Sequence, residues 1–367
     1  MTALSPPTRH TFFGVFDGHS GQSTAHKLAA DLSQVVCLHL ADVYSMHCPS
    51  REPTNPRTAS DEIHSAVKAA FVEVDDLIVH DATRRALGLS IEQYRALNEG
   101  KPVGLPSDMP PKLSRFEALQ LLKETRTGSC ALLGIYNSLE RTLHVAVTGD
   151  SRAVLGRRVL VVPPAKHASK EEEKEVVNQP SASRDSTTKY AYEVHQLSFD
   201  QNASNPKEAE RLTALHPDEP ELLKGGRVLG WGPARAFGNG IMKWSIAVQD
   251  QLWETLTLLV RDPEDVLKTP PYYTAEPEVM TFEGVRRGDF LVLASHGLWE
   301  SLMNEEVVGL VGKWLEERGS KEEIRLMEDS EDTTVEVMLP DKVYPSTTIG
   351  LSHPRKVKTD AEMAPSM

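Results

Sequence analysis

The sequence predicts a layered α+β domain in which antiparallel sheets are flanked by helices. Short apolar runs that stop at glycine or turn residues recur along the chain, as strands do. Segments with apolar residues three and four apart lie near both ends, as amphipathic helices do. The central strand candidates are joined by a hairpin-length connection, which favours antiparallel pairing over βαβ crossovers. No internal repeat is found, so a solenoid or propeller is not expected. At 367 residues the chain has room for one large domain or two small ones.

In chain order, residues 11–16 (TFFGVF) read as a buried strand ending at Asp17-Gly18-His19. Ala25, Leu28, Ala29, Leu32 and Val36 then set a helix over 22–40, with Ser20 or Ser23 as its cap. Residues 45–60 are a polar, proline-containing loop. Asp61 is expected to cap a second helix whose apolar face is Ile63, Val67, Ala70, Phe71, Val74 and Ile78. Residues 99–115 read as loop. Strands are expected over 129–136 and 142–148, joined by 137–141 as a hairpin, with another near 153–155. Residues 164–190 are charged, serine-rich and poor in large apolar groups, which predicts a disordered insertion. Residues 290–294 (FLVLA) read as a second fully buried strand. A helix is expected to begin at Ser301 or Asn304 and to carry Val307, Val308, Leu310, Val311 and Leu315. Beyond residue 317 the pattern decays into charge clusters, and 352–367 read as a disordered tail. The domain reading is therefore 1–317 for the folded domain and 318–367 for a degenerate C-terminal segment.

Composition excludes more than it assigns. With 40 Lys+Arg against 53 Asp+Glu the formal charge is −13, which argues against a nucleic-acid or anionic-membrane binder. Cys37, Cys48 and Cys130 form neither a disulfide framework nor a cysteine-type zinc site. No apolar run approaches the ~20 residues of a membrane helix. The first ten residues carry one Arg and two Pro, so they resemble neither a signal peptide nor an Arg-rich transit peptide.

Three groups share one design, an apolar strand meeting an acidic or imidazole residue next to glycine: Asp17-Gly18-His19, Gly149-Asp150-Ser151 and Ser295-His296-Gly297. A carboxylate at the rim of a strand is held rigidly, and glycine lets a ligand or backbone carbonyl come close. Several such groups at one sheet mouth suit divalent cations, which take oxygen ligands and activate water.

Residues 13–21 (FGVFDGHSG), 127–129 (TGS), 149–154 (GDSRAV), 235–238 (RAFG) and 290–300 (FLVLASHGLWE) resemble the ordered motifs of metal-dependent serine/threonine phosphatases, the PPM family, and match them in order over residues 10–315. Residues 197–202, 208–212, 243–245 (KWS) and 269–278 (TPPYYTAEPE) make the chain most similar, within that family, to pyruvate dehydrogenase phosphatase catalytic subunits. The resemblance implies a β-sandwich flanked by helices with a two-metal Mg²⁺ or Mn²⁺ centre. It implies hydrolysis of phosphoserine and phosphothreonine by a metal-activated water. Asp17 then matches the carboxylate bridging both metals, Gly18 a carbonyl ligand, and His19 the general acid. Asp150 and Glu300 match acidic positions of a further metal site, His296 stands at a ligand position, and Arg235 reads as structural support. The implied partner is a phosphoprotein substrate, such as a pyruvate dehydrogenase complex subunit, and the implied location is the mitochondrial matrix.

The sequence departs from this pattern in four places. His296 replaces a ligand aspartate, and imidazole suits Mn²⁺ better than Mg²⁺. The residues before Phe13 hold neither a preceding strand nor, at Arg9, a phosphate-binding arginine in context, so an exposed sheet edge is expected. The closing metal ligand has only Asp332, within 331–337, as candidate. Asn239 replaces an acid after the RAFG motif. These departures set an alternative beside the phosphatase: a catalytically weakened or inactive phosphatase-like binding protein.

Overall fold

The computed structural model describes residues 10–46, 56–103, 113–161, 189–256, 267–318 and 343–345. The chain divides into two compact units: residues 1–153, 196–285 and 293–299 in the first, and 154–195, 286–292 and 300–367 in the second.

The first unit is organised around an antiparallel sheet. Its strands are β1 (His10–His19), β2 (Gly128–Asn137), β3 (Thr142–Thr148) and the later β9 (Glu278–Phe282), in the order β1-β2-β3-β9. The hairpin predicted between 137 and 141 is present, with Asn137 opposite Thr142. Strand β2 is buried along nearly its whole length because strands lie on both sides of it. Its apolar side chains Ala131, Leu133 and Ile135 enter one core with helix faces. In α1 (Ser23–Met46) that face is Leu28, Leu32, Val36 and Leu40; in α2 (Pro56–Asp76) it is Ile63, Val67, Ala70, Phe71 and Val74. Each such large side chain contributes about 1.5–3 kcal/mol by leaving water.

Around this core stand α3 (Ala82–Ala86), α4 (Ile91–Asn98), α5 (Arg115–Leu121) and, later in the chain, α7 (Ile246–Leu256), whereas α6 (Pro206–Leu215) puts Leu212 into a smaller core with Leu222, Val228 and Tyr272. Ser90 and Ser114 cap α4 and α5 with reciprocal bonds to Gln93 and Glu117. A π-helical turn, Leu77–Asp81, joins α2 to α3 and buries Ile78 and Val79. Short strands β6 (Leu223–Lys224) and β7 (Arg227–Val228) form a separate hairpin. Strand β8 (Phe237–Gly238) pairs with the start of β2, Gly128 opposite Gly238.

The second unit holds most of a four-stranded sheet. Its strands are β4 (Arg152–Val161), β5 (Lys189–Gln196), β10 (Phe290–Ala294) and β11 (Val343–Pro345), in the order β10-β4-β5-β11. Arg157 ties β4 to Asp289 with Nη2 to Oδ2 at 2.7 Å. Helix α9 (Asn304–Arg318) meets β5 at Gly312, where any Cβ would collide with the Tyr192 ring. Between β10 and α9, α8 (His296–Trp299) is a single turn.

The α+β class, the antiparallel pairing and the flanking helices are as predicted. Several local expectations are corrected. Strand β1 is not buried: Phe13 is 47% exposed, because among the described residues β1 pairs with β2 alone. It also runs on through Asp17, Gly18 and His19 rather than stopping before them. Strand β10 is half-buried throughout, being likewise at its sheet's edge. Helix α2 starts at Pro56, a residue suited to a first turn because it has no N–H to satisfy, so Asp61 lies inside the helix. Neither predicted serine caps α1: the Gln22 carbonyl receives the first bond, from His26 at 3.0 Å, and Ser20 sits at φ 58°. Helix α9 begins at Asn304, one of its two predicted starts. The expected insertion (apart from 189–190, in β5), the 331–337 strand candidate with Asp332, Arg9 and the 352–367 tail lie outside the described residues.

Candidate active site

The end of β1 carries the first candidate residues. Gly18 packs on the start of α1, where a Cβ would lie 3.1 Å from the Ala25 Cβ and 3.2 Å from the Gly21 carbonyl oxygen. Gly18 is thus held against α1, and Asp17 stands opposite Cys130 in the β1–β2 ladder. The Asp17 Oδ2 lies 2.8 Å from Nδ1 of His296, the first residue of α8. Helix α8 is held in turn by Trp299, whose Nε1–H donates to the Ala294 carbonyl at 3.0 Å. The Arg152 guanidinium covers the Trp299 ring 5.1 Å from its centroid while donating to both oxygens of Asp200.

Asp150 follows β3 at a turn that needs glycine before it. Gly149 has φ 105°, and a side chain there would strike Cys130. Gln201 clamps the turn: its Oε1 accepts from Gly149 N–H at 2.8 Å, and its own N–H donates to the Gly149 carbonyl. Asp150 is buried, and its Oδ1 accepts from the Cys130 thiol at 3.3 Å. Burial, foremost, raises its pKa; the Cys130 bond and the charge of His296 oppose that, and the charge of Asp17 adds to it.

His19 has a separate anchor. Its Nε2 lies 2.7 Å from Oδ1 of Asn239, 220 residues away. Asn239 follows β8 at φ 49°, ψ 51°, a left-handed conformation that asparagine tolerates better than most residues. Its N–H donates to the Thr127 carbonyl at 2.8 Å. Thr127 in turn meets Thr24 of α1, the two hydroxyl oxygens 2.6 Å apart. The TGS and RAFG motifs and the start of α1 thus brace one another around the imidazole. The Trp231 ring lies 6.3 Å from that of His19.

Of the residues singled out in the sequence, Asp17, Gly18, His19, Asp150 and His296 belong to the first unit. Asp17 and His296 touch, and Asp150 feels the charge of both. Glu300 is an exposed turn residue of the second unit. Arg235 meets the buried Glu208 with Nη2 to Oε1 at 2.6 Å, a structural pairing as expected. Among the described residues no three His, Cys, Asp or Glu side chains form a ready metal cluster. The donors present are nevertheless suited to a divalent ion. Carboxylate and carbonyl oxygens are donors that divalent ions accept, and imidazole is one that Mn²⁺ accepts more readily than Mg²⁺. The Asn239 contact was not legible in the sequence, where only the missing acid after RAFG signalled the position.

The strings at 243–245 and 269–278 serve the fold. Lys243, fully buried, donates from Nζ to Asp75 Oδ2 at 2.5 Å and to the Ala236 carbonyl at 2.7 Å. Burial lowers its pKa, and Asp75 opposes that. The pair walls a cavity of about 270 Å³ with His80, Ser245 and Tyr273.

The sequence model described as protein phosphatase 2C matches residues 182–330. A protein phosphatase 2C homolog of Schizosaccharomyces pombe is 33% identical over 310 residues, covering 83% of this chain and 56% of that protein. The mitochondrial pyruvate dehydrogenase (acetyl-transferring) phosphatase 1 of Saccharomyces cerevisiae is 32% identical, covering 83% of this chain and 44% of that protein. Its human counterpart is 29% identical, covering 84% and 56%. The chain thus spans about half the length of the curated relatives it matches. The crystal structure of serine-threonine phosphatase 2C from Toxoplasma gondii superposes at a TM-score of 0.42 with 14% identity, covering 87% of this chain and 78% of that one. No helix among the described residues is long and apolar enough to cross a membrane. Residues 182–330 thus match the protein phosphatase 2C family, and two relatives above 30% identity extend the likeness over 83% of the chain.

Proposed function

We propose that the protein is a metal-dependent phosphatase acting on phosphoserine and phosphothreonine in proteins, with its catalytic domain within residues 1–317. The observation that carries this reading is the 2.8 Å approach of Asp17 and His296, with Asp150 joined to the same strand end through Cys130, which stands opposite Asp17. Asp17, the Gly18 carbonyl, Asp150 and His296 would hold the cation. When bound, the ion supplies Lewis-acid polarisation of the phosphate and an acidified water. The chain's own residues do the rest. The carboxylates of Asp17 and Asp150 would hold the ion from fixed positions at the end of β1 and on the turn after β3. His19 protonates the departing serine or threonine oxygen, which as a free alkoxide is a poor leaving group; such acid catalysis contributes about 10²–10⁴ in rate. The touching Asp17–His296 pair, with Asp150 bonded to the Cys130 that stands opposite Asp17, favours a working enzyme over a silent binding protein.

The mitochondrial pyruvate dehydrogenase phosphatases among the relatives support a finer reading: a phosphorylated pyruvate dehydrogenase subunit as substrate, in the mitochondrial matrix. The imidazole of His296 supports Mn²⁺ over Mg²⁺ as the ion. The test is phosphate release from phosphoserine peptides and from phosphorylated pyruvate dehydrogenase, after chelation and re-addition of each ion. Release that returns with Mn²⁺ supports the proposal. Silence with both ions on every substrate overturns it.

A further inference from the structure

We infer that Asn239 is the positioning residue for His19, fixing which imidazole nitrogen delivers the proton; this deepens the phosphatase reading and rests on it. The Asn239 amide oxygen can only accept, so the 2.7 Å contact commits Nε2–H of His19 to it. The transferable proton is then the one on Nδ1. In the step, water adds its oxygen to phosphorus and sheds a proton to solvent. The ester P–O bond breaks with its electron pair going to the serine oxygen, and the Nδ1 proton passes to that oxygen. The imidazole is left neutral with Nε2–H still on Asn239.

The pair is built rather than incidental. Asn239 is 3% exposed, and it is pinned at both ends: its N–H on the Thr127 carbonyl and its carbonyl accepting from Met242 N–H, each at 2.8 Å. Its left-handed backbone aims the short amide back at β1. On the other side the pair abuts the β2 backbone so closely that any Cβ at Gly128 would collide with both Asn239 Oδ1 and His19 Nε2. The Nε2 end of the imidazole therefore sits between a fixed acceptor and the β2 backbone. An aspartate would offer the same acceptor with a charge.

The experiment compares turnover of a phosphoserine peptide with that of p-nitrophenyl phosphate, whose phenolate leaves without protonation. In Asn239→Ala, kcat on the peptide is expected to fall about 10- to 100-fold, and at least tenfold more than on p-nitrophenyl phosphate, with KM little changed. Asn239→Asp keeps the acceptor and is expected to recover most of the peptide rate. Equal losses on both substrates, or no recovery in Asn239→Asp, overturn the inference. Nitrogen-15 NMR of the histidines, with the His19 signals assigned by His19→Gln, reads the tautomer directly. The Nε2–H form is expected in the wild type and its loss in Asn239→Ala; an Nδ1–H wild type overturns the inference. A wild type that hydrolyses neither substrate contradicts the phosphatase reading instead, and the NMR result still decides whether Asn239 fixes His19.

Discussion

His296 Nδ1 lies 2.8 Å from Asp17 Oδ2, joining the first residue of a one-turn helix to a strand 279 residues earlier in the chain. An imidazole occupies a place where the family resemblance leads one to expect a carboxylate. Replacing it by His296→Asp adds an anionic oxygen donor, worth on the order of 4 kcal/mol per unit-charge pair at ~4 Å and an effective dielectric near 20. The Mg²⁺ concentration for half-maximal turnover is expected to drop at least about tenfold, with the preference for Mn²⁺ narrowing. A Mg²⁺ titration of phosphopeptide hydrolysis checks this; an unchanged midpoint contradicts the assignment of His296 to the cation site.

Gly128 is the point where β2 touches the His19–Asn239 pair. Gly128→Ala is expected to lower kcat on a phosphopeptide at least about tenfold by displacing the imidazole, while thermal stability changes far less than for a core cavity. A variant with wild-type turnover shows that His19 does not need this register.

The Lys243–Asp75 pair is buried on both sides, at 3% and 8% side-chain exposure. Lys243→Met leaves Asp75 as an uncompensated buried charge, although Gly238 N–H still donates to it at 2.8 Å. A loss of about 3–5 kcal/mol of unfolding free energy is expected, measured by urea denaturation at neutral pH. A loss below about 1 kcal/mol would mean that water or rearrangement relieves Asp75.

His144 is buried in the first unit beside His64, and burial foremost lowers its pKa from 6.5 to about 4. The unfolded chain therefore binds a proton between pH 6.5 and about 4 that the folded chain does not. Stability is full above pH 6.5 and falls on acidification, by on the order of 2–3 kcal/mol across that window. His64, whose pKa is also lowered by burial, adds to the same slope. His144→Gln is expected to flatten the decline seen in urea midpoints from pH 7 to 4.5; an unaltered slope removes His144 as its source.

What the sequence made legible, and what it did not, follows from range. The β2–β3 hairpin was readable because its pairing is settled by five connecting residues and two apolar runs. The helix faces of α1 and α2 were readable because 3.6-residue periodicity is local. Burial of β1 and β10 was misjudged because an apolar run does not reveal whether a strand ends up central or at an edge. Asp61 resembled a cap, yet Pro56 can open a helix earlier with no side-chain cap at all. The motifs named Asp17, His19, Asp150 and His296, but the contacts that give them meaning span 220 and 279 residues. Those contacts depend on how β8 pairs with β2 and where α8 starts, which no local pattern encodes.

The most direct measurement is phosphopeptide turnover of Asp17→Ala beside the wild type, with Mn²⁺ present and folding checked by thermal melting. Asp17 sits at the centre of the proposed cation site, so turnover is expected to fall by at least about 100-fold with the melting transition intact. Undiminished hydrolysis by a folded Asp17→Ala protein would contradict the assignment of this strand end as the catalytic centre.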